Sequence, residues 1–224
     1  VVLNVDYFDV TIEHFPNGMD GEQFFNFIHQ NFGMFDDGCN SEFNFLDPMD
    51  QESWSSGSPE GTIFSIGIPG NNGSVITSQY DNSPNSCFCW TFTTIFDDEN
   101  GSHPVSGNRQ FGLVQNEDGT WSFYIRGVDR TSSSFLINSL NPADNSQVLS
   151  TELESAIGFN MADLLWNCII QNIFNYVNDP LNGGVATDMS SENIRPDLRE
   201  DVDLRNRLLN LDVSDVLECI ISKN

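Results

Sequence analysis

Arginine is scarce in this chain, and three of its seven copies crowd between residues 109 and 130: Arg109, Arg126 and Arg130. His103 precedes them in the run HPVSGNRQFG, and Asp129 sits beside the last in FYIRGVDR. A guanidinium presents a planar fork of donors that matches a carboxylate or a phosphate. An imidazole titrates near neutrality and moves protons. Brought together, these types point to a pocket for an anionic small ligand. Arg109, Arg126 and Arg130 would clamp it, His103 would act as acid or base, and Asp129 would orient an arginine. The bland alternative is that the arginines neutralise the chain's own carboxylates, Asp97, Asp98 and Asp129 among them. In that case replacing Arg126 costs stability rather than activity.

A hairpin must position these groups. QFGLVQ and TWSFYIRG are two strands joined through NEDG, with Asp118-Gly119 in the turn. Arg109 begins the first strand and Arg126 ends the second, so the turn is expected to bring them near each other. Upstream, Leu3–Glu13 alternates as a strand. Asp20 with Gln23 forms a capping box before a helix that is expected to run to about Phe32 and stop at Gly33. From Asn40 to Arg130 the pattern is β, with strands expected at Glu42–Leu46, Gly61–Ile68, Ser74–Ser78, Cys87–Ile95, Arg109–Gln115 and Thr120–Gly127. Short turns between them imply antiparallel pairing. Beyond a Ser- and Asn-rich stretch at 131–151 the period becomes helical. Asn160 is read as a helix start, with Leu165, Ile169, Ile173 and Val177 facing inward. Thr151 and Glu154 form another capping box. Pro196 and Asp212 would open two more helices. The expected class is α+β: an N-terminal strand and helix, an antiparallel sheet of about six strands, and a C-terminal helical segment packed on it. Residues 1–224 then make one domain, mainly β over 1–130 and helical over 152–224.

Charge is strongly one-sided. The net charge is −25, residues 1–100 hold 16 acidic side chains and no Lys or Arg, and Lys223 is the single lysine. Such a surface repels nucleic-acid phosphates and anionic membranes, and suits a basic protein partner. A chain nearly free of lysine also offers few attachment points for ubiquitin, which fits delivery into a eukaryotic cell. With 38% apolar residues and 18 Phe the chain is too greasy to stay disordered. No run of 18 apolar residues spans a membrane, and VVLNVDYFDV does not read as a signal peptide. The five cysteines are Cys39, Cys87, Cys89, Cys168 and Cys219. An odd count leaves at least one unpaired, no second pair follows Cys87 and Cys89 at zinc spacing, and Cys168 and Cys219 read as small core residues. No oxidising compartment is demanded.

Other chemistry fits poorly. Arg126, Ser132–Ser134, Glu152 and Glu154 follow the order of an ADP-ribosyltransferase, but a step of six residues from Arg126 to Ser132 cannot cross a nucleotide cleft. Ser106 lacks the first glycine of a nucleophile elbow. Asp97–Asn100 misses calcium-loop spacing. His14 is isolated, and His29 reads as a core-edge residue. No cofactor or metal is expected. The residues do not decide between an enzyme and a binding protein.

The block HPVSGNRQFG, the hairpin ending FYIRGVDR, and then ADLLWNCIIQNIFNYVN and IRPDL resemble an uncharacterised bacterial domain associated with secreted and polymorphic-toxin proteins. The resemblance spans roughly residues 90–200 and carries no assigned activity. It implies a bacterial secreted or injected effector, or a module attached to one. The alternatives are an acidic binding module, such as an immunity protein or polyanion mimic, and a structural protein of a particle or fibre.

Overall fold

A computed structural model of the chain describes residues 2–67, 72–83, 88–131, 151–197 and 200, with side chains described from residue 158 in the segment that begins at 151. Strand β1 (Asn4–His14) alternates buried and half-buried residues, as period-2 side-chain geometry requires. Helix α1 (Gly21–Gln30) starts at Asp20, whose side chain accepts from Gln23 N while the Gln23 side chain accepts from Asp20 N. Phe24, Phe25 and Ile28 make its inner face and are fully buried, each contributing roughly 1.5–3 kcal/mol. Gly33 does not end the helical stretch: α2 (Phe32–Phe35) continues through it after a break at Asn31.

The strands β2 (Glu42–Phe45), β3 (Ile63–Gly67), β4 (Gly73–Asp81), β5 (Phe88–Asp97), β6 (Gly101–Ser102), β7 (Val105–Gln115) and β8 (Trp121–Thr131) follow, with α3 (Pro48–Ser55) inserted after β2. Helix α4 (Thr151–Val177) and β9 (Val185–Ile194) close the described part. All pairings are antiparallel, and the order across the sheet is β2-β3-β4-β5-β7-β8-β1-β9, with β6 paired to β5.

The expected sheet of about six strands with a helical C-terminal segment is therefore corrected. The sheet has nine strands among the described residues, β1 lies inside it, and the stretch after α4 is strand, not helix. Strand β9 pairs along β1 but buries only Ala186 well, so it carries no alternating apolar signal. Helix α4 begins at Thr151, which puts Asn160 in its middle. The expected helix from Pro196 lies outside the described residues beyond Asp197, as does the one at Asp212. The linker 132–150 also lies outside them.

Helix α4 crosses the inner face of β1, β8 and β9. Its Leu165, Ile169, Ile173 and Val177 recur every fourth residue and meet Phe8, Val10 and Ile12 of β1, Phe111 and Leu113 of β7, and Phe123 and Ile125 of β8 in one core. Trp90 stacks on Phe111 with centroids 4.9 Å apart. Trp54 of α3 lies on His29 at 3.7 Å and donates to His29 O. Burial pushes that imidazole down to about 3, so His29 is a neutral core residue. A disulfide joins Cys39, just after α2, to Cys168 on α4, across 129 residues. The reading of Cys168 as a plain core residue is thus corrected. Cys89 is buried outside that bond; Cys87 and Cys219 lie outside the described residues. No helix among the described residues is long and apolar enough to cross a membrane.

Candidate functional site

Counting back from the turn fixes the hairpin's faces. Gln115 lies opposite Trp121, so Arg109 lies opposite Gly127, Gln110 opposite Arg126, and Gly107 opposite Asp129. Arg109 and Asp129 therefore point to the inner face and Arg126 to the outer one, because neighbours along a strand alternate sides. The expected convergence of Arg109 and Arg126 does not occur. Arg126 donates through Nε and Nη2 to Gln110 Oε1, at 2.9 and 2.7 Å, and lies over the Tyr124 ring. Arg130 shares that outer face and is exposed.

On the inner face, Gly127 also lies opposite Asp6 of β1. The row Arg109–Gly127–Asp6 spans three strands, and strands sit about 4.8 Å apart. Only an absent side chain at 127 lets Arg109 reach across β8. Its Nη1 and Nη2 donate to Asp6 Oδ1 and Oδ2, and Nη2 also donates to Asp129 Oδ2. The next row is Gly107–Asp129–Asn4, and there the missing side chain of Gly107 leaves room for Asp129 Oδ1. Asn4 Nδ2 donates to Asp6 Oδ2 at 2.6 Å. Trp166 of α4 covers the Arg109 guanidinium at 4.6 Å. Burial works against the Arg109 charge, but Asp129 and Asp6 outweigh it and hold the group protonated. Burial likewise raises Asp129, against the pull of Arg109.

Beside this cluster lies a cavity of about 280 Å³ between the sheet and the first half of α4. Phe43, Phe92, Phe159, Leu165 and Trp166 give it an aromatic and aliphatic wall, and the disulfide's Cys39 also borders it. His103, Arg109 and Asp129 line it too, so three of the five residues expected at a site come together here, and Arg126 and Arg130 do not. His103 is only 8% exposed; burial brings its pKa down to about 4, so it is neutral at physiological pH. Its Nδ1 lies 2.8 Å from Val105 O. Among the described residues no three His, Cys, Asp or Glu side chains gather to hold a metal ion.

Asp6, Asn4 and Trp166 escape a reading of the hairpin alone, since they come from β1 and α4. One signal was available. SGNR set against RGVD about the Asp118 turn places each glycine opposite a charged residue, which is a mark of side chains folded across a neighbouring strand.

No protein-family model matches the chain, and no curated protein matches it in sequence. Among solved structures it is similar to a point mutant of norcoclaurine synthase from Thalictrum flavum, in complex with a transition-state analogue. The two are 11% identical with a TM-score of 0.38, over 77% of this chain and 97% of that one. It is also similar to Ara h 8.0201, at 9% identity and a TM-score of 0.38, over 75% of this chain and 97% of that one.

Proposed function

We propose that this protein binds a small organic molecule of mostly apolar surface in the cavity between the sheet and α4. One observation carries the reading: an aromatic-walled cavity of about 280 Å³ beside a small, fixed set of polar groups. Ligand sites are concave, largely apolar, and oriented by a few convergent polar side chains. The test is calorimetric titration with the neutral probe 1-naphthalenemethanol. Saturable one-to-one binding is expected in the native protein, and its loss in Ala162→Phe, which fills the cavity from α4. Undetectable binding, or equal binding by the filled variant with an unchanged melting temperature, would overturn it.

The proposal extends to where the protein works. The Cys39–Cys168 disulfide supports an oxidising compartment, as for a secreted or injected bacterial effector or effector-associated module. A thiol titration of protein taken from its native host tests this. Fewer than five titratable thiols in the unfolded, unreduced chain support it, and five oppose it. A second reading keeps the anionic ligand or basic partner of an acidic binding module. It is favoured by Arg126, whose guanidinium on the outer face bonds an amide oxygen and, among the described residues, no carboxylate. Phosphate titration of the native protein against Arg126→Gln checks it, and equal weak binding by both would dismiss it.

A further inference from the structure

The cavity's polar end has a sign. Arg109 supplies one positive charge and meets two carboxyl groups, Asp6 and Asp129, so one guanidinium cannot balance both when both are ionised. The adjoining Asp163–Arg195 pair is neutral in sum, and His103 is uncharged. The two carboxylates are not equivalent. Asp6 is fully buried and satisfied, accepting from both terminal nitrogens of Arg109 and from Asn4. Asp129 borders the cavity and accepts from Arg109 through Oδ2 alone; among the described residues Oδ1 has no donor.

Two further side chains at the cavity have unanswered polar atoms. His103 and Trp166 both line the cavity, both are 8% exposed, and each carries a ring nitrogen with no hydrogen-bond partner. His103 Nδ1 lies 2.8 Å from Val105 O and 3.1 Å from Val105 N, so Nε2 serves as donor or acceptor according to the tautomer. A carboxyl oxygen without a donor among the described residues, at the wall of an apolar cavity, calls for a donor group. Trp166 Nε1 is a donor without a partner among the described residues, and a hydroxyl or water oxygen answers it.

We propose that the cavity's occupant is a cationic amphiphile: an amine or amidine on an aromatic or alkyl body, with its charged group held at Asp129. This rests on the cavity reading above and reverses the sign of ligand that the arginines suggest. Arg109 is no anion clamp here, because the protein's own carboxylates occupy it. Its role is positioning: it holds Asp129 at the cavity wall. The surrounding aromatic faces add cation–π attraction for a desolvated ammonium.

The test uses three probes of one shape: 1-naphthylmethylamine, 1-naphthalenemethanol and 1-naphthoate. They are titrated calorimetrically into the native protein at roughly 0.5 M salt, where screening within about 4 Å suppresses the general pull of an acidic surface on cations. The amine is expected to bind about tenfold more tightly than the alcohol, and the naphthoate most weakly. Asp129→Asn should bring the amine to the alcohol's affinity and leave the alcohol's own affinity unchanged. Glu52→Gln, an exposed change on α3, should leave the amine's preference intact. Should Asp129→Asn fail to fold, the native ratio alone decides. Alcohol binding without an amine preference overturns this inference and spares the cavity reading; binding of none of the three overturns both.

Discussion

Gly127→Ala should be among the most damaging small substitutions in the protein, against the usual trend. In an ordinary strand, alanine is better than glycine by about 0.5–1 kcal/mol, since glycine loses more backbone entropy on folding. At position 127 a Cβ would stand 2.5 Å from Arg109 Cζ, 2.7 Å from Nε and 2.8 Å from Nη2. The guanidinium has nowhere to go, with Asp6 and Asp129 on its nitrogens and Trp166 over its face. Relief requires breaking its contact to Asp6, which is fully buried. Stripping one partner from a buried ion pair costs about 3–5 kcal/mol. At about 2–4 °C per kcal/mol for a chain of this size, the melting temperature should fall on the order of 10 °C. Gly67→Ala is the control: a Cβ there meets nothing nearer than 3.9 Å, so that variant should be neutral or slightly stabilised. Urea unfolding followed by tryptophan fluorescence, with the disulfide intact, measures both. If the two variants differ by less than about 1 kcal/mol, the account of a glycine-bridged ion cluster is wrong.

Two other perturbations test the frame around the site. The disulfide closes a loop of 129 residues, so Cys168→Ser should lower the unfolding free energy by about 2–5 kcal/mol. Reductant should reproduce that loss in the native chain but add nothing in the variant, and a native protein indifferent to reductant would argue against the bond. Burial pushes the Asp36 carboxyl up to about 6, against the bond it accepts from Phe43 N. Between about pH 4 and 6 the native state then holds a proton that the unfolded chain has released, so this group's contribution falls as pH rises through that window. Asp36→Asn should therefore stabilise the protein above pH 6 by about 1 kcal/mol, allowing for solvent screening, and gain little below pH 4. Chemical unfolding at both ends of the window checks it, and a gain independent of pH would refute the assignment.

What the sequence made legible is what alternation and capping encode. Phe8, Val10 and Ile12 mark β1, Asp20 with Gln23 marks α1, and Asp118-Gly119 marks the β7–β8 turn. Inward Leu165, Ile169, Ile173 and Val177 mark α4. Strand β9 was not legible because an edge strand that buries little but Ala186 has no hydrophobic period to read. Helix α3 did leave a trace, Asp47 before Pro48 with Asp50 completing a capping box, but its eight residues bury only Trp54. The Cys39–Cys168 pairing depends on α2 meeting α4, a contact that no local pattern records. The site was half legible. His103, Arg109 and Asp129 do border one cavity, yet Arg126 was misplaced because nearness along a hairpin was taken for a shared face. Register parity, which the turn already determines, separates the two arginines.

That parity also bears on why so acidic a chain buries an arginine at all. Stability is a weak explanation, since apolar side chains of matching volume commonly equal or exceed a buried ionic triad. Solubility is no explanation, since the group is inside. Apolar residues in place of Arg109 would not favour the ionised form of a carboxyl at the wall of an aromatic cavity. Burial raises the Asp129 carboxyl, and Arg109 opposes that rise. Asp6 then anchors Arg109 from the far side of Gly127, so the cation cannot swing into the cavity and become the ligand's partner itself. Read in that order, the row Asp6–Gly127–Arg109 is a support for Asp129. It accounts for two carboxylates where neutralising one arginine needs only one.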